Sequence, residues 1–226
     1  MDTKEVLQKR KSVRAFTSKL VERETIELIL NNAKHSPSGV NMQPWEIVVA
    51  SGATQKALAD TMTDAFASQT KQQSEYQYYP SEWFEPYKSR RKGTGLLMYK
   101  TLGIEKGDTA KQHAQWVANY RSFGAPSVVY CFIDNRLQKG SYLDYGMFLQ
   151  SIMLVATSLG VGSCAQAALA DYGYLVREKL GVAEDKILLC GIALGYEDKN
   201  APINSYRTNR LDINKKIYIG KKPTQK

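Results

Sequence analysis

Between residues 22 and 35, Ile26, Ile29, Leu30 and Ala33 fall three and four positions apart, the spacing that gathers them on one face of an α-helix. Pro37 and Gly39 close that helix. A shorter helix is predicted over residues 3–10. Residues 45–49, Trp-Glu-Ile-Val-Val, carry the β-branched side chains of a strand. Leu58, Met62 and Phe66 sit four apart and predict a helix over residues 53–73. The apolar runs 127–133 and 187–194 read as buried strands. Asp108 or Thr109 caps a helix that runs through Tyr120. A long apolar helix covers residues 142–159 and ends at Gly160; another runs from Asp171 through Leu180 and stops at Gly181. Helices interleaved with a few central strands place the chain in the α+β class. No repeat, low-complexity tract or linker divides it, so one domain over residues 1–226 is expected.

Residues 74–105 break the pattern. Six aromatics and two prolines crowd residues 76–87 without a clean period. A basic segment, 88–92, leads to a short predicted helix over 96–102. The stretch reads either as a satellite packing cluster or as a lid over a planar ligand. In the second reading Tyr76, Trp83, Phe84 and Tyr87 offer flat faces to an aromatic molecule, while Lys88, Arg90 and Arg91 draw its carboxylate or nitro group. The tail beyond Arg210 is polar, except for Ile217, Tyr218 and Ile219. Those three need a surface to cover, and a second subunit is a natural one.

Composition narrows the function classes. Of 226 residues, 43% are hydrophobic and 23% charged, ordinary values for a globular protein. Met1 runs into a charged stretch, and no apolar run resembles a signal peptide or a membrane span. A cytoplasmic protein without a membrane partner is expected. Cys131, Cys164 and Cys190 lack metal-ligand spacing and read as reduced core thiols. With His35 and His113 the only histidines, a histidine-rich metal site is disfavoured, and no G-x-S-x-G elbow is present. The net charge is +9, but its cations are scattered, and no zinc-finger, RNP or helix-turn-helix pattern accompanies them. Nucleic acid is therefore not expected as a partner; a smaller polyanion is.

Four segments carry candidate chemistry. Residues 10–14, Arg-Lys-Ser-Val-Arg, place Arg10, Ser12 and Arg14 on alternate positions, where forked guanidiniums and a hydroxyl can converge on an anion. Lys11 adds a third cation. Residues 37–45, Pro-Ser-Gly-Val-Asn-Met-Gln-Pro-Trp, form a turn-rich loop in which Ser38, Asn41 and Gln43 supply neutral donors and acceptors for a heterocycle edge. Residues 158–169 follow the long helix with small side chains that allow close approach to backbone. Arg207 and Arg210 add two late guanidiniums. Singly, these read equally well as a basic helix end, a connection, a tight turn and a surface tail.

Their order is more specific. R-x-S-x-R after the first helix, P-S-x-x-N-x-Q-P-W entering the first strand, L-G-x-G-S after the long helix, and a late Arg together resemble the nitroreductase family over essentially the whole chain. Members that reduce nitrobenzoate, with a long aromatic and basic insertion at the position of residues 74–105, are the nearest in character. The resemblance implies a central mixed or antiparallel sheet flanked by helices, in an intertwined homodimer with FMN at the interface. It places Arg10, Lys11, Ser12, Arg14, Arg207 and Arg210 on the flavin, the two late arginines at its phosphate. Pro37, Ser38, Gly39, Asn41 and Gln43 would reach the same cofactor, and Gln166, Ala167 and Ala168 would lie beside its ring. Lys11 departs from the Arg or His usual at that position.

The implied activity is two-electron, ping-pong hydride transfer from NAD(P)H through FMN to a nitroaromatic or quinone-like acceptor. The flavin carries the redox step and no side chain acts covalently. Two alternatives remain on the same fold: a reductive dehalogenase of a halogenated aromatic amino acid, suggested by Glu75-x-x-x-Tyr79, and a flavin-binding protein without turnover.

Overall fold

The computed structural model describes residues 1–212. The apolar patch expected at Ile217, Tyr218 and Ile219 lies outside the described residues. Four strands, β1 (Glu46–Ser51), β2 (Ser127–Asp134), β3 (Gly162–Gln166) and β4 (Lys186–Gly195), form one sheet in the order β1-β2-β4-β3. Among the described residues every strand pairing is antiparallel, the second of the two sheet types expected. An isolated bridge from Ser12 to Ser163 is parallel.

Burial on both faces explains why β2 and β4 read as continuous apolar runs. Val129, Cys131 and Ile133 face helices α2 (Arg23–Ala33) and α6 (Lys139–Ser158), packing on Ile26, Ile29, Phe148 and Ile152. Val128, Tyr130 and Phe132 face α3 (Gly52–Ala67), α5 (Thr109–Tyr120) and α7 (Gly173–Leu180), meeting Leu58, Met62, Tyr120 and Val176. A β-bulge interrupts the β2–β4 ladder: Cys131 opposes Cys190 and Phe132 opposes Leu188, leaving Leu189 over. Along β4 the side chains therefore change phase, and Ile187 and Leu189 share a face with Cys190, Ile192 and Leu194. The carbonyl of the extra residue, Leu189, accepts a hydrogen bond from the Tyr76 hydroxyl.

Several elements differ from the sequence reading. The strand β3 stands where a small-residue loop is expected. Helix α3 stops at Ala67 rather than near residue 73, because Gln69 turns left-handed (φ 54) and Thr70 N–H reaches back to the Ala65 carbonyl. Helix α4 (Tyr87–Thr101) is twice the predicted length: the cations of 88–92 are good helix formers, and Gly93 and Gly95 do not break it. Helix α7 starts at Gly173, after a 3-10 stretch, Ala167–Tyr172. Helix α1 (Thr3–Lys9) is capped by Asp2, whose carboxylate accepts from Glu5 N–H, and α5 by Asp108, which accepts from Lys111 N–H.

Candidate functional site

The segment after α1 is laid along the sheet edge by backbone bonds. Val13 N–H donates to the Ser163 carbonyl at 2.9 Å, and Thr17 N–H to Tyr196 at 2.9 Å. Gly162 makes this possible, since a Cβ there would sit 2.9 Å from Val13 Cγ2 and 3.2 Å from the Gly195 carbonyl. Gly162 thus admits a neighbouring backbone segment rather than a ligand. Buried Asn204 completes the clamp: its Oδ1 accepts from Arg14 N–H, and its Nδ2 donates to the carbonyls of Ala15 and Asp198, each at 2.8 Å.

This arrangement borders two cavities that share Arg14. One, of about 630 Å³, is lined by Arg10, Lys11, Ser12, Arg14, Tyr206, Arg207 and Arg210, with Thr94 of α4 at its wall. Burial and the neighbouring guanidiniums of Arg210 and Arg207 push the Arg10 pKa down, the signature of crowded cations without an anion. The three are not equivalent. Arg207 donates to the carbonyls of Gln8, Lys9 and Arg10, closing the C-terminal end of α1. Arg210 is folded onto Thr208. Lys11 is drawn off to Glu197 at 2.7 Å and to the Asn204 carbonyl.

The second cavity, of about 840 Å³, is walled by Cys164, Ala165, Gln166, Ala167 and Ala168, and by Tyr76, Tyr78, Tyr79, Asn119 and Phe123. Among the described residues strand β3 is the sheet's last, with no strand paired to its outer edge. Because the Ser163 carbonyl points outward to Val13, alternation turns the Ala165 backbone groups outward too, over this cavity. Gln166 is buried; its Nε2 donates to the Asn119 carbonyl at 2.9 Å, whereas its Oε1 has no partner among the described residues. Arg14 lies 5.9 Å from the Phe123 ring and 6.0 Å from the Tyr206 ring, and donates to the Tyr206 hydroxyl at 3.1 Å. Burial raises the Cys164 thiol pKa, so it is a packed thiol rather than a nucleophile.

The structure thus gathers Arg10, Ser12, Arg14, Gln166, Ala167, Ala168, Arg207 and Arg210 along one groove. Residues 37–43 line neither cavity. They form an exposed loop held by Gly39 N–H on Asp144 at 3.1 Å and by Gln43 N–H on the Ser38 hydroxyl at 2.9 Å. Val40, Asn41 and Gln43 adopt positive φ of 45°, 57° and 49°, strain that ordinary loops avoid. Of the four aromatics proposed for an acceptor, Tyr76 alone lines the larger cavity. Trp83 packs on Tyr79 at 5.4 Å and Phe84 on Tyr87 at 5.1 Å. Glu75 is spent on Arg177. Asn119, Phe123, Ala165, Asn204 and Tyr206 escape the sequence reading. Among the described residues, no group of three or more His, Cys, Asp or Glu could hold a metal ion, and no helix is long and apolar enough to cross a membrane.

The nitroreductase family profile matches residues 7–196. The chain belongs to the nitroreductase family. The 4-nitrobenzoate reductase of Pseudomonas putida is 35% identical over 205 residues, covering 91% of this chain and 89% of that protein. The crystal structure of the FMN and NADPH-dependent nitroreductase NfnB from sphigopyxis sp. strain HMH matches at a TM-score of 0.93 and 37% identity, over 97% of this chain and 99% of that one. The FMN-dependent nitroreductase NfnB from Mycobacterium smegmatis, solved in complex with NADPH, matches at 0.92 and 32% identity, over 96% and 97%. The nitroreductase fold inferred from the ordered motifs is therefore the fold of this chain.

Proposed function

We propose that this nitroreductase-family chain is an FMN-dependent NAD(P)H oxidoreductase that reduces nitroaromatic or quinone-like acceptors. The observation that carries the reading is the groove in which a cluster of guanidiniums, Arg10, Arg207 and Arg210, is joined through Arg14 to a flat-walled cavity with an unpartnered buried acceptor, Gln166 Oε1. A phosphate suits the first end, and a ring with an N–H edge suits the second. When bound, the flavin supplies two-electron hydride chemistry. The chain's part is to hold it: Arg10 and Ser12 toward the phosphate, Arg14 between the two ends, residues 165–168 beside the ring. Tyr76, Tyr78 and Tyr79 close the ring cavity on one side, as a surface for a planar acceptor. Residues 1–226 act as one flavin-binding domain in the cytoplasm, with 74–105 as its lid.

The test is the visible spectrum of the purified protein with its flavin content. The expected result is a yellow protein with about one FMN per chain. A colourless protein that cannot be reconstituted with FMN would sink the proposal. The dehalogenase alternative is weakened by the Glu75–Arg177 pair, which leaves that carboxylate no freedom to grip an amino acid.

We further propose a homodimer. Helix α6 buries Tyr145, Phe148 and Ile152 on one face, while Leu143 is 73% exposed on another, beside Met147. Helix α4 buries no residue and leaves Leu96 at 59% exposure. A partner subunit would cover these faces and place the loop 37–43 of one chain near the groove of the other. Sedimentation at micromolar concentration should give a two-chain species, and Leu143→Asp with Met147→Asp should dissociate it with loss of FMN. A folded, FMN-loaded wild-type monomer would contradict this.

A further inference from the structure

Helix α4 begins in an electrostatically unfavourable way. Lys88, Arg90, Arg91 and Lys92 occupy its first six positions, against a single carboxylate there, that of Glu85 just before the helix, which accepts from Ser89 N–H at 3.4 Å. The macrodipole puts its positive end there, where anions are stabilising and cations are not. Elsewhere helical cations are neutralised at close range, as in Lys9–Glu5, Arg23–Glu27, Lys56–Asp60 and Lys111–Asp108. None of the four α4 cations makes an ion pair among the described residues, and residues 213–226 contain no Asp or Glu.

The geometry gives these cations a direction. Arg90 and Arg91 precede Thr94 by four and three residues, so the three share one helix face. Thr94 lines the cavity that holds Arg10, Arg207 and Arg210. Arg90 and Arg91 thus make a second, outer set, with backbone about one helical turn from the wall of that cavity. The outer set is pre-organised: Arg91 rests 4.9 Å over the Trp83 ring and Arg90 5.5 Å over the Tyr87 ring. A guanidinium stacked on a ring keeps its in-plane N–H fork free, the geometry that grips a phosphate. The sequence reading assigns these cations to the acceptor's carboxylate or nitro group, but α4 borders the Arg10 cavity through Thr94 and contributes nothing to the wall of the larger one.

We propose that Arg90 and Arg91, with Lys88 and Lys92 adding to the field, bind the 2′-phosphate of NADPH and so select NADPH over NADH as hydride donor. The inference rests on the oxidoreductase reading above. In it the inner guanidiniums serve the flavin phosphate and the outer ones serve the single phosphate that distinguishes the two donors.

The experiment uses the full-length protein as purified and the double variant Arg90→Ala/Arg91→Ala, titrated calorimetrically with adenosine 2′,5′-bisphosphate and with 5′-AMP. NADPH and NADH affinities are then measured by anaerobic flavin reduction. Two charge-assisted contacts, discounted for exposure, predict about 30-fold weaker binding of the bisphosphate and of NADPH, with NADH and 5′-AMP changing less than about threefold. Arg90→Lys/Arg91→Lys should recover part of the loss. Equal weakening of NADPH and NADH, no change in either, or a rise confined to the acceptor KM would overturn the assignment. The bisphosphate titration needs no flavin. A colourless protein that still binds the bisphosphate, and loses it in the variant, would sink the flavin reading and with it the choice of hydride donor, and leave the phosphate site alone standing.

Discussion

Arg14→Ala is expected to give a folded protein that no longer retains FMN, with affinity lowered by about two decades or more. Arg14 lines both cavities, so among the described residues its guanidinium is the one cation in reach of both ends of the cofactor. Charge-assisted contacts of this kind contribute roughly 1.5–3 kcal/mol each, and the residue is placed to make two. Its backbone tie to Asn204 is untouched by the substitution, so the segment should stay in place. Arg14→Lys keeps the charge but not the planar fork and should lie between the two. Equilibrium dialysis against FMN, with circular dichroism to certify the fold, measures this. Retention of FMN at wild-type affinity would remove Arg14 from the site.

Gly162→Ala is expected to cost about 1–3 kcal/mol and, unlike most surface substitutions, to loosen a ligand it does not touch. The new Cβ would meet Val13 Cγ2 at 2.9 Å and the Gly195 carbonyl at 3.2 Å. Backbone on one side and a buried β-branched side chain on the other leave little room to give. The strap that carries Arg10, Ser12 and Arg14 must lift from β3, straining the Val13–Ser163 hydrogen bond. A fall in melting temperature of about 2–4 °C per kcal/mol should accompany roughly tenfold weaker FMN binding. Combining the change with Val13→Ala, which removes the clashing methyl, should give less than the sum of the two losses. Strict additivity would place the strain elsewhere.

The sequence discloses the sheet's centre better than its edges. Strands β2 and β4 are legible because burial on two faces demands unbroken apolar runs. Strand β3, Gly-Ser-Cys-Ala-Gln, has no β-branched residue; its conformation comes from pairing with β4 and from the strap laid beside it. Helix α4 is obscured by Gly93 and Gly95, which lower local propensity without preventing an exposed helix.

At the site, side-chain type is legible and availability is not. Lys11 looks as promising as Arg10 until Glu197, far along the chain, claims it. Asn204 stands in a turn visible in the sequence, but its role as a three-way clamp depends on Arg14, Ala15 and Asp198 converging there. The left-handed Phe123 (φ 55) comes at an ordinary helix end, with nothing in its neighbours to mark it. The most specific motif, Pro-Ser-Gly-Val-Asn-Met-Gln-Pro-Trp, stands apart from the groove of its own chain, a separation that local pattern cannot reveal.

The bulge at Leu189 makes the molecule unequally tolerant of two kinds of genetic change. Leu189 can be exchanged for another residue and the Tyr76 hydroxyl still finds the same backbone carbonyl. Deleting it would instead restore an unbroken ladder in which Leu188 and Cys190, already on opposite faces, become neighbours, so the side chains of β4 keep their layers. The same deletion would take away the anchor of Tyr76. Point substitutions here leave the aromatic segment tied, whereas a three-base deletion spares both helical layers and releases that segment, so drift at this position should proceed by replacement and not by loss.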